Sequence, residues 1–412
     1  MLSRRLFLGT AAAAPAVTLA AGRAAQAGAA ETGLSSLTAD ARPIGVEERR
    51  ARIAKLQALM TRQKIGAMLI ESGSSLDYFT GIRWWRSERT TAAVIPAKGE
   101  VVVVTPAFEE PSIRETLQIG GDVRPWNEHE SPFELLAKAL PPGTVAVEPT
   151  IRFFIVDRLR EAAPKVKIVS GDALVRACRM HKSPAELALL RVANQVTLEA
   201  IRYTHGQIKA GMKASDIAGL IASATAALGG GGEEGALVLL NEASAFPHGS
   251  HKPQEIREGS TVLIDTGCKV HGYESDISRS WVFGEPSAKQ RKMWETVRRG
   301  QQIVFETARL GVKCGAIDDA VRGFYEKEGW GPGYHLPGLP HRTGHGIGMD
   351  GHESPYLVHG DDTPLEPGMC FSDEPGLYVP GEFGIRLEDC WFMSETGPQG
   401  FTPFARSIDD PV

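Results

Sequence analysis

Five residues in the second half of the chain have the chemistry of ligands for a hard divalent cation: Asp265, Asp276, His345, Glu374 and Glu388. Val262-Leu263-Ile264-Asp265 reads as an apolar strand ending in a carboxylate, and Asp276 follows eleven residues later, a spacing that a hairpin can fold back on itself. Two acids forced together need a cation, or one must take up a proton. His345 stands in Thr343-Gly344-His345-Gly346-Ile347-Gly348, where the glycines let backbone approach closely and leave no bulk around the imidazole. Glu374 and Glu388 are each embedded in a Gly-bounded, apolar, strand-like stretch, a costly place for a carboxylate unless a metal neutralises it. Four carboxylates and one histidine form an oxygen-rich set suited to Mn, Zn, Co or Fe(II) rather than to structural zinc, which prefers thiolates. Any one of these residues would be unremarkable alone; the five in this order point to metal-assisted hydrolysis.

The ordered set Asp265, Asp276, His345, Glu374, Glu388 resembles the ligand string of the pita-bread metallopeptidases, in the branch of Xaa-Pro aminopeptidases and prolidases. The likeness extends past the ligands. His248 lies seventeen residues before Asp265, His341 four before and His352 seven after His345, and Arg386 two before Glu388, all at positions that branch keeps near its substrate. The resemblance implies two divalent ions per subunit, manganese first among them, with a metal-bridged hydroxide as nucleophile. Asp265 would chelate one ion, Asp276 and Glu388 would bridge, and His345 and Glu374 would complete the second. Glu374 would carry the proton, His248 and His352 would position substrate and stabilise the oxyanion, and His341 and Arg386 would contact substrate or orient carboxylates. The implied substrates are proline-containing peptides or dipeptides, and the implied assembly is a homo-oligomer, a dimer or higher. A same-fold lyase, a non-peptide amide hydrolase and an inactive binding module are the competing readings. The three extra histidines weigh against the lyase, and the unbroken ligand set against the other two.

These residues need a scaffold, and 412 residues are enough for two domains. Over 44–180 the chain alternates helix and strand signals. A helix begins near Val46 with Ile53, Leu56, Leu59 and Met60 on one face; strands are expected at 67–70, 92–95, 101–104 and 145–147, and helices near 111–119 and 153–163. This α/β region resembles the creatinase-type domain that precedes pita-bread domains. A boundary falls at Lys182-Ser183-Pro184, where Ser183 can cap a helix, Pro184 suits its first turn and Glu186 completes a capping box. The α+β catalytic domain is therefore placed at 181–412. Gly229 to Gly232 reads as a mobile loop without phosphate-binding context, and Trp84-Trp85 as paired aromatics in a loop, fitted to a domain or subunit contact.

Residues 1–27 carry Arg4-Arg5, a mild apolar stretch and Ala25-Gln26-Ala27, the pattern of a twin-arginine-type signal peptide, with 28–43 as a flexible leader. Export to the periplasm is the expected localisation. The net charge of −5 grows more negative once Arg4, Arg5 and Arg23 are removed, which disfavours nucleic acid or an anionic membrane as partner. Cys178, Cys268, Cys314, Cys370 and Cys390 are scattered and odd in number, so core thiols are expected.

Overall fold

The computed structural model describes residues 32–232, 235–250 and 252–412. The signal peptide expected over 1–27 lies outside them. The leader expected to be flexible over 28–43 is, in its described part, held: Leu37 N–H donates to Leu228 O at 2.9 Å, and Leu34 packs against the core. Leu34 and Ala41 turn apolar side chains against the core shared by the two domains, which the segment's polar composition hides.

The N-terminal domain opens with α1 (Val46–Arg62), whose Ile53, Leu56 and Met60 are buried as their spacing requires. Six strands follow: β1 (Ala67–Glu71), β2 (Ala92–Pro96), β3 (Val102–Pro106), β4 (Asp122–Trp126), β5 (Thr144–Val147) and β6 (Lys167–Ser170). They form one sheet in the order β4-β3-β2-β1-β5-β6, antiparallel across β3-β2-β1 and parallel elsewhere. Helices α2 (Ser74–Thr80), α3 (Glu110–Thr116), α4 (Pro132–Ala139), α5 (Phe153–Ala162) and α6 (Asp172–Arg179) complete it.

The catalytic domain begins at α7 (Pro184–His205), capped as expected: Glu186 N–H donates to Ser183 Oγ at 3.2 Å and Ser183 N–H to Glu186 Oε2 at 2.9 Å. Its partner α8 (Ala214–Ala227) leads to β7 (Leu237–Leu240), β8 (Ser260–Thr266), the small hairpin β9 (Lys269–Val270) and β10 (Tyr273–Glu274), and β11 (Ile277–Phe283). A second helix pair, α9 (Ala288–Thr307) and α10 (Cys314–Lys327), precedes β12 (Gly344–Gly346), β13 (Glu353–Leu357), β14 (Cys370–Asp373), β15 (Gly376–Val379), β16 (Phe383–Arg386), β17 (Asp389–Ser394) and β18 (Gly397–Gly400). The sheets run β11-β8-β7 and β13-β12-β14-β17-β18, with β15-β16 as a separate ribbon.

The two halves repeat one device. Gly211-Met212-Lys213 and Gly311-Val312-Lys313 each turn the chain between paired helices at a positive φ, +85° and +81°, that only glycine takes without strain. Gly211 N–H donates to Ile256 O and Gly311 N–H to Leu365 O, both at 2.8 Å. Each helix pair then closes its own apolar core, one around Ile201, Ile221 and Trp281, the other around Val297, Val321 and Trp391.

Buried charge joins the domains. Arg52 of α1 donates to Tyr273 Oη at 3.0 Å and lies 3.3 Å from Glu186, while Tyr273 donates to Glu186 at 2.8 Å. Arg179 holds Asp350 at 2.8 Å and Glu353 at 2.5 Å on the segment that carries His352. The loop at Gly229 to Gly232, expected to be mobile, is pinned: Gly231 N–H donates to Lys269 O at 2.9 Å. All five cysteines are buried, free thiols. No helix of the described residues is long and apolar enough to cross a membrane.

Candidate metal centre

The β8–β11 pairing places the aspartates. Asp265 lies opposite Ser278 in the ladder, and Asp276 stands two residues before Ser278. Opposed residues share a face and so do residues two apart, so Asp265 and Asp276 are diagonal neighbours on one face. The nested β9–β10 hairpin sets this offset; without it the spacing alone suggests a directly opposed pair.

His345 sits in β12, between strands β13 and β14. A Cβ at Gly344 would strike the Ser372 carbonyl and one at Gly346 the Glu353 carbonyl, so the flanking glycines are what lets three strands close around the imidazole. The glutamates differ from expectation. Glu374 follows the last residue of β14 and Glu388 precedes the first of β17, so both occupy the breaks where the chain leaves for the β15–β16 ribbon and returns. Their N–H groups donate to Thr343 O at 2.9 Å and Ser278 O at 3.0 Å, which fixes each break to a neighbouring ligand segment.

Together these elements bring all five residues to one point. Ligand atoms of His345, Glu374 and Glu388 form one group and those of Asp265, Asp276 and Glu388 a second, each within 4.8 Å, with Glu388 common to both. His345 Nε2 is 3.5 Å from Glu374 Oε1, 3.6 Å from Asp276 Oδ2 and 4.0 Å from Glu388 Oε1. Ligand atoms about 2.1 Å from one tetrahedral ion stand roughly 3.4 Å apart, so this spacing suits an ion better than direct hydrogen bonds. The tautomer agrees. His345 Nδ1 lies 3.1 Å from Gly346 O; a carbonyl only accepts, so the proton is on Nδ1 and Nε2 presents its lone pair. Burial, with His352 alongside, lowers the His345 pKa to about 3, which keeps the ring neutral.

The carboxylates carry the opposite strain. Burial, then the charge of neighbouring carboxylates, raises Asp276 and Glu388 well above the usual range; Glu374 is pushed up to about 7, by burial first and then by Asp265. Glu388 Oε2 accepts from Ser278 Oγ at 2.7 Å, but its buried Oε1 has no hydrogen-bond partner. An orphaned carboxylate oxygen facing a bare imidazole nitrogen, among acids that cannot all ionise together, fits a divalent cation.

A polar chain backs the centre. Arg386 is ion-paired with Asp265, donates to Ser278 Oγ at 2.9 Å and donates to Tyr378 Oη at 3.2 Å. Tyr378 Oη is 2.9 Å from His341 Nε2, and His341 Nδ1 donates to Arg342 O at 2.8 Å, so the tyrosine O–H donates to the imidazole. Burial, then Arg386, lowers His341 to about 3. His352 is exposed and stacks on His345 with centroids 3.8 Å apart and planes 17° apart; it can also join Asp276 and His345 in a third ligand group. His248 is exposed on a loop held by Arg386 through Pro247 O at 3.1 Å. Ser278 and Tyr378 escape the sequence reading. The strand register identifies Ser278 once Asp265 is placed, whereas Tyr378 reads as an ordinary apolar-strand tyrosine.

Behind Glu388, Arg279 donates to the Glu388 carbonyl at 2.8 Å, the Ser278 carbonyl at 3.0 Å and Asp389 Oδ1 at 2.6 Å, with both charged side chains at 0% exposure.

Comparison with known proteins matches residues 188–395 to the model for metallopeptidase family M24 and residues 52–181 to the creatinase/prolidase N-terminal domain. The chain is 33% identical to the "Probable dipeptidase PepE" of Mycobacterium tuberculosis over 84% of its length and 92% of that protein. It is 30% identical to the "Xaa-Pro dipeptidase" of Lactobacillus helveticus, over 84% of this chain and 95% of the relative. The crystal structure of dipeptidase PepE from Mycobacterium ulcerans superposes with a TM-score of 0.81 at 30% identity, over 88% of this chain and 97% of that one.

Proposed function

The chain belongs to metallopeptidase family M24, and from that membership we propose a peptidase that holds two divalent ions and hydrolyses the Xaa-Pro bond of proline-containing peptides. The observation that carries the two-ion reading is the pair of three-residue ligand groups hinged on Glu388. Divalent ions held there by Asp265, Asp276, His345, Glu374 and Glu388 would supply Lewis acidity toward the scissile carbonyl and lower the pKa of a bound water. The oxygen-rich set favours manganese, with zinc, cobalt or iron as alternatives.

The residues of the chain do the rest. Glu374, whose Oε1 lies 3.5 Å from His345 Nε2, takes a proton from the attacking water and returns it to the proline nitrogen as the bond breaks. An Xaa-Pro amide has no N–H, so its recognition rests on ring shape and carbonyl polarisation. His248 and His352, exposed beside the ligands, meet the substrate, and neutral His341 is held at the rim by Tyr378. Arg386 keeps Asp265 turned toward the centre.

The function is tested with metal-reconstituted protein against Ala-Pro, Ala-Pro-Ala and Ala-Ala. Release of alanine from at least one proline substrate, and little from Ala-Ala, is the expected result. Failure to release an N-terminal residue before proline from either peptide refutes it.

Two further proposals concern setting. Export through a twin-arginine route is supported by Arg4-Arg5 and the small-residue exit at 25–27, and normal export of an Arg4→Lys, Arg5→Lys variant would end it. Assembly into a dimer or higher oligomer is supported by Trp85, which is 65% exposed and stacked on Trp84 at 4.5 Å.

A further inference from the structure

His352 stands in the irregular stretch between β12 and β13, with no helix or strand ladder of its own to fix its ring. Two carboxylates bracket it, Asp350 and Glu353, and one guanidinium holds both. Arg179 Nη2 lies 2.8 Å from Asp350 Oδ2 and 2.5 Å from Glu353 Oε2. Arg179 is the last residue of α6, in the N-terminal domain, and its Nη1 donates to Ser74 Oγ at 3.1 Å and Ser75 Oγ at 3.3 Å, at the start of α2. Ser74 Oγ in turn donates to Asp350 Oδ2 at 2.8 Å, and Lys182, at the domain boundary, takes the other oxygen of Glu353. A groove of about 200 Å³ borders the same stretch, lined by Ser74, Arg179, Asp350, His352 and Glu353 among others. The stretch is open on that side, so charge-assisted bonds rather than close packing set its place.

The ring so placed lies against the metal centre, stacked on His345 with centroids 3.8 Å apart. Misplacing a reacting or positioning group by about 1 Å costs on the order of 10²-fold in rate, so whatever holds this stretch acts on the chemistry. The buried Arg179 side chain spends four hydrogen bonds on the stretch and on the serines that support it, and all four start from the N-terminal domain. We infer that Arg179 is a positioning residue for the hydrolysis: through Asp350 and Glu353 it sets the His352 ring against the centre. The N-terminal domain, which supplies none of the five ligands, thereby becomes part of the catalytic apparatus. The inference rests on the peptidase reading above, in which His352 meets the substrate.

The test is a double-mutant cycle on the metal-loaded full chain, with whichever of Ala-Pro and Ala-Pro-Ala the wild-type protein cleaves faster. Arg179→Met is expected to lower kcat/KM on the order of 10- to 100-fold, chiefly in kcat, with bound metal unchanged by elemental analysis. In a His352→Ala background the same substitution should cost less than about threefold, because the ring it positions is gone. Arg179→Lys, which can keep one of the two carboxylates, should recover part of the loss. A merely structural role lowers both backgrounds by the same factor, and that result overturns the inference. An Arg179→Met protein within about twofold of wild type overturns it too. Should Arg179→Met fail to fold, Asp350→Asn takes its place in the cycle, since that carboxylate is half-exposed, and equal losses in the two backgrounds overturn the inference there as well. Wild-type protein that leaves both peptides intact would instead remove the peptidase reading beneath it.

Discussion

Glu388→Gln is expected to cost the protein both its metal and its activity. The carboxylate is common to the two ligand groups, and its Oε1 has no other partner. An amide of the same shape loses the charge proposed to hold two cations, so on that reading bound metal measured by elemental analysis should fall from about two ions to fewer than one. kcat/KM on an Xaa-Pro dipeptide should drop on the order of 10³-fold or more. Calorimetric titration of metal-free wild-type protein adds a second readout. With Glu374 raised to about 7, the site holds protons below that pH, and an entering ion must expel them. Proton release should therefore be larger at pH 6 than at pH 8.5. The sign for stability follows. Protonated Glu374 helps the metal-free fold at low pH, and that help is lost as pH rises from its unfolded value through about 7, until metal replaces the proton. A Glu388→Gln protein with full metal content and normal turnover would refute the shared-ligand geometry.

Arg279→Met is the second large effect, and it reads out on stability. Asp389 would be left buried at 0% exposure without its cation, a loss of about 3–5 kcal/mol for a broken buried pair. Thermal unfolding of the metal-bound protein should shift down by about 10 °C. The damage should reach the centre too, because Arg279 also holds the Glu388 carbonyl. Adding Asp389→Leu removes the orphaned charge and should recover a large part of the stability. A shift under about 2 °C in Arg279→Met would mean the pair is not what ties β11 to β17.

These two residues differ in how visible they are in the sequence. Glu388 stands out as a carboxylate in apolar surroundings, as do Asp265, Asp276 and Glu374, and the glycines around His345 announce a close approach. The Ser183–Glu186 capping box gives the domain boundary, because its signal is local. Arg279 is one arginine among many until its acceptors are seen. In the N-terminal sheet the two strands that the pattern misses, β4 and β6, are its edges; half-exposed, with Pro125 in one and Lys167 in the other, they lack an apolar run. The glutamates' place in strand breaks rather than strands escapes for another reason. A period-2 pattern marks which residues are extended but not where a chain leaves one sheet for another.

The repeated Gly-x-Lys turns carry a consequence for biosynthesis. Asp265 and Asp276 come from the first of the two similar halves, while His345, Glu374 and Glu388 come from the second. During synthesis the first half offers an ion only two aspartates, too few to hold it against water. Capture must wait until Glu388, the ligand common to both groups, has emerged and the halves have closed on each other. Metal uptake should therefore report that both halves have formed and closed, and a product lacking β14 to β17 is expected to be born without the ion.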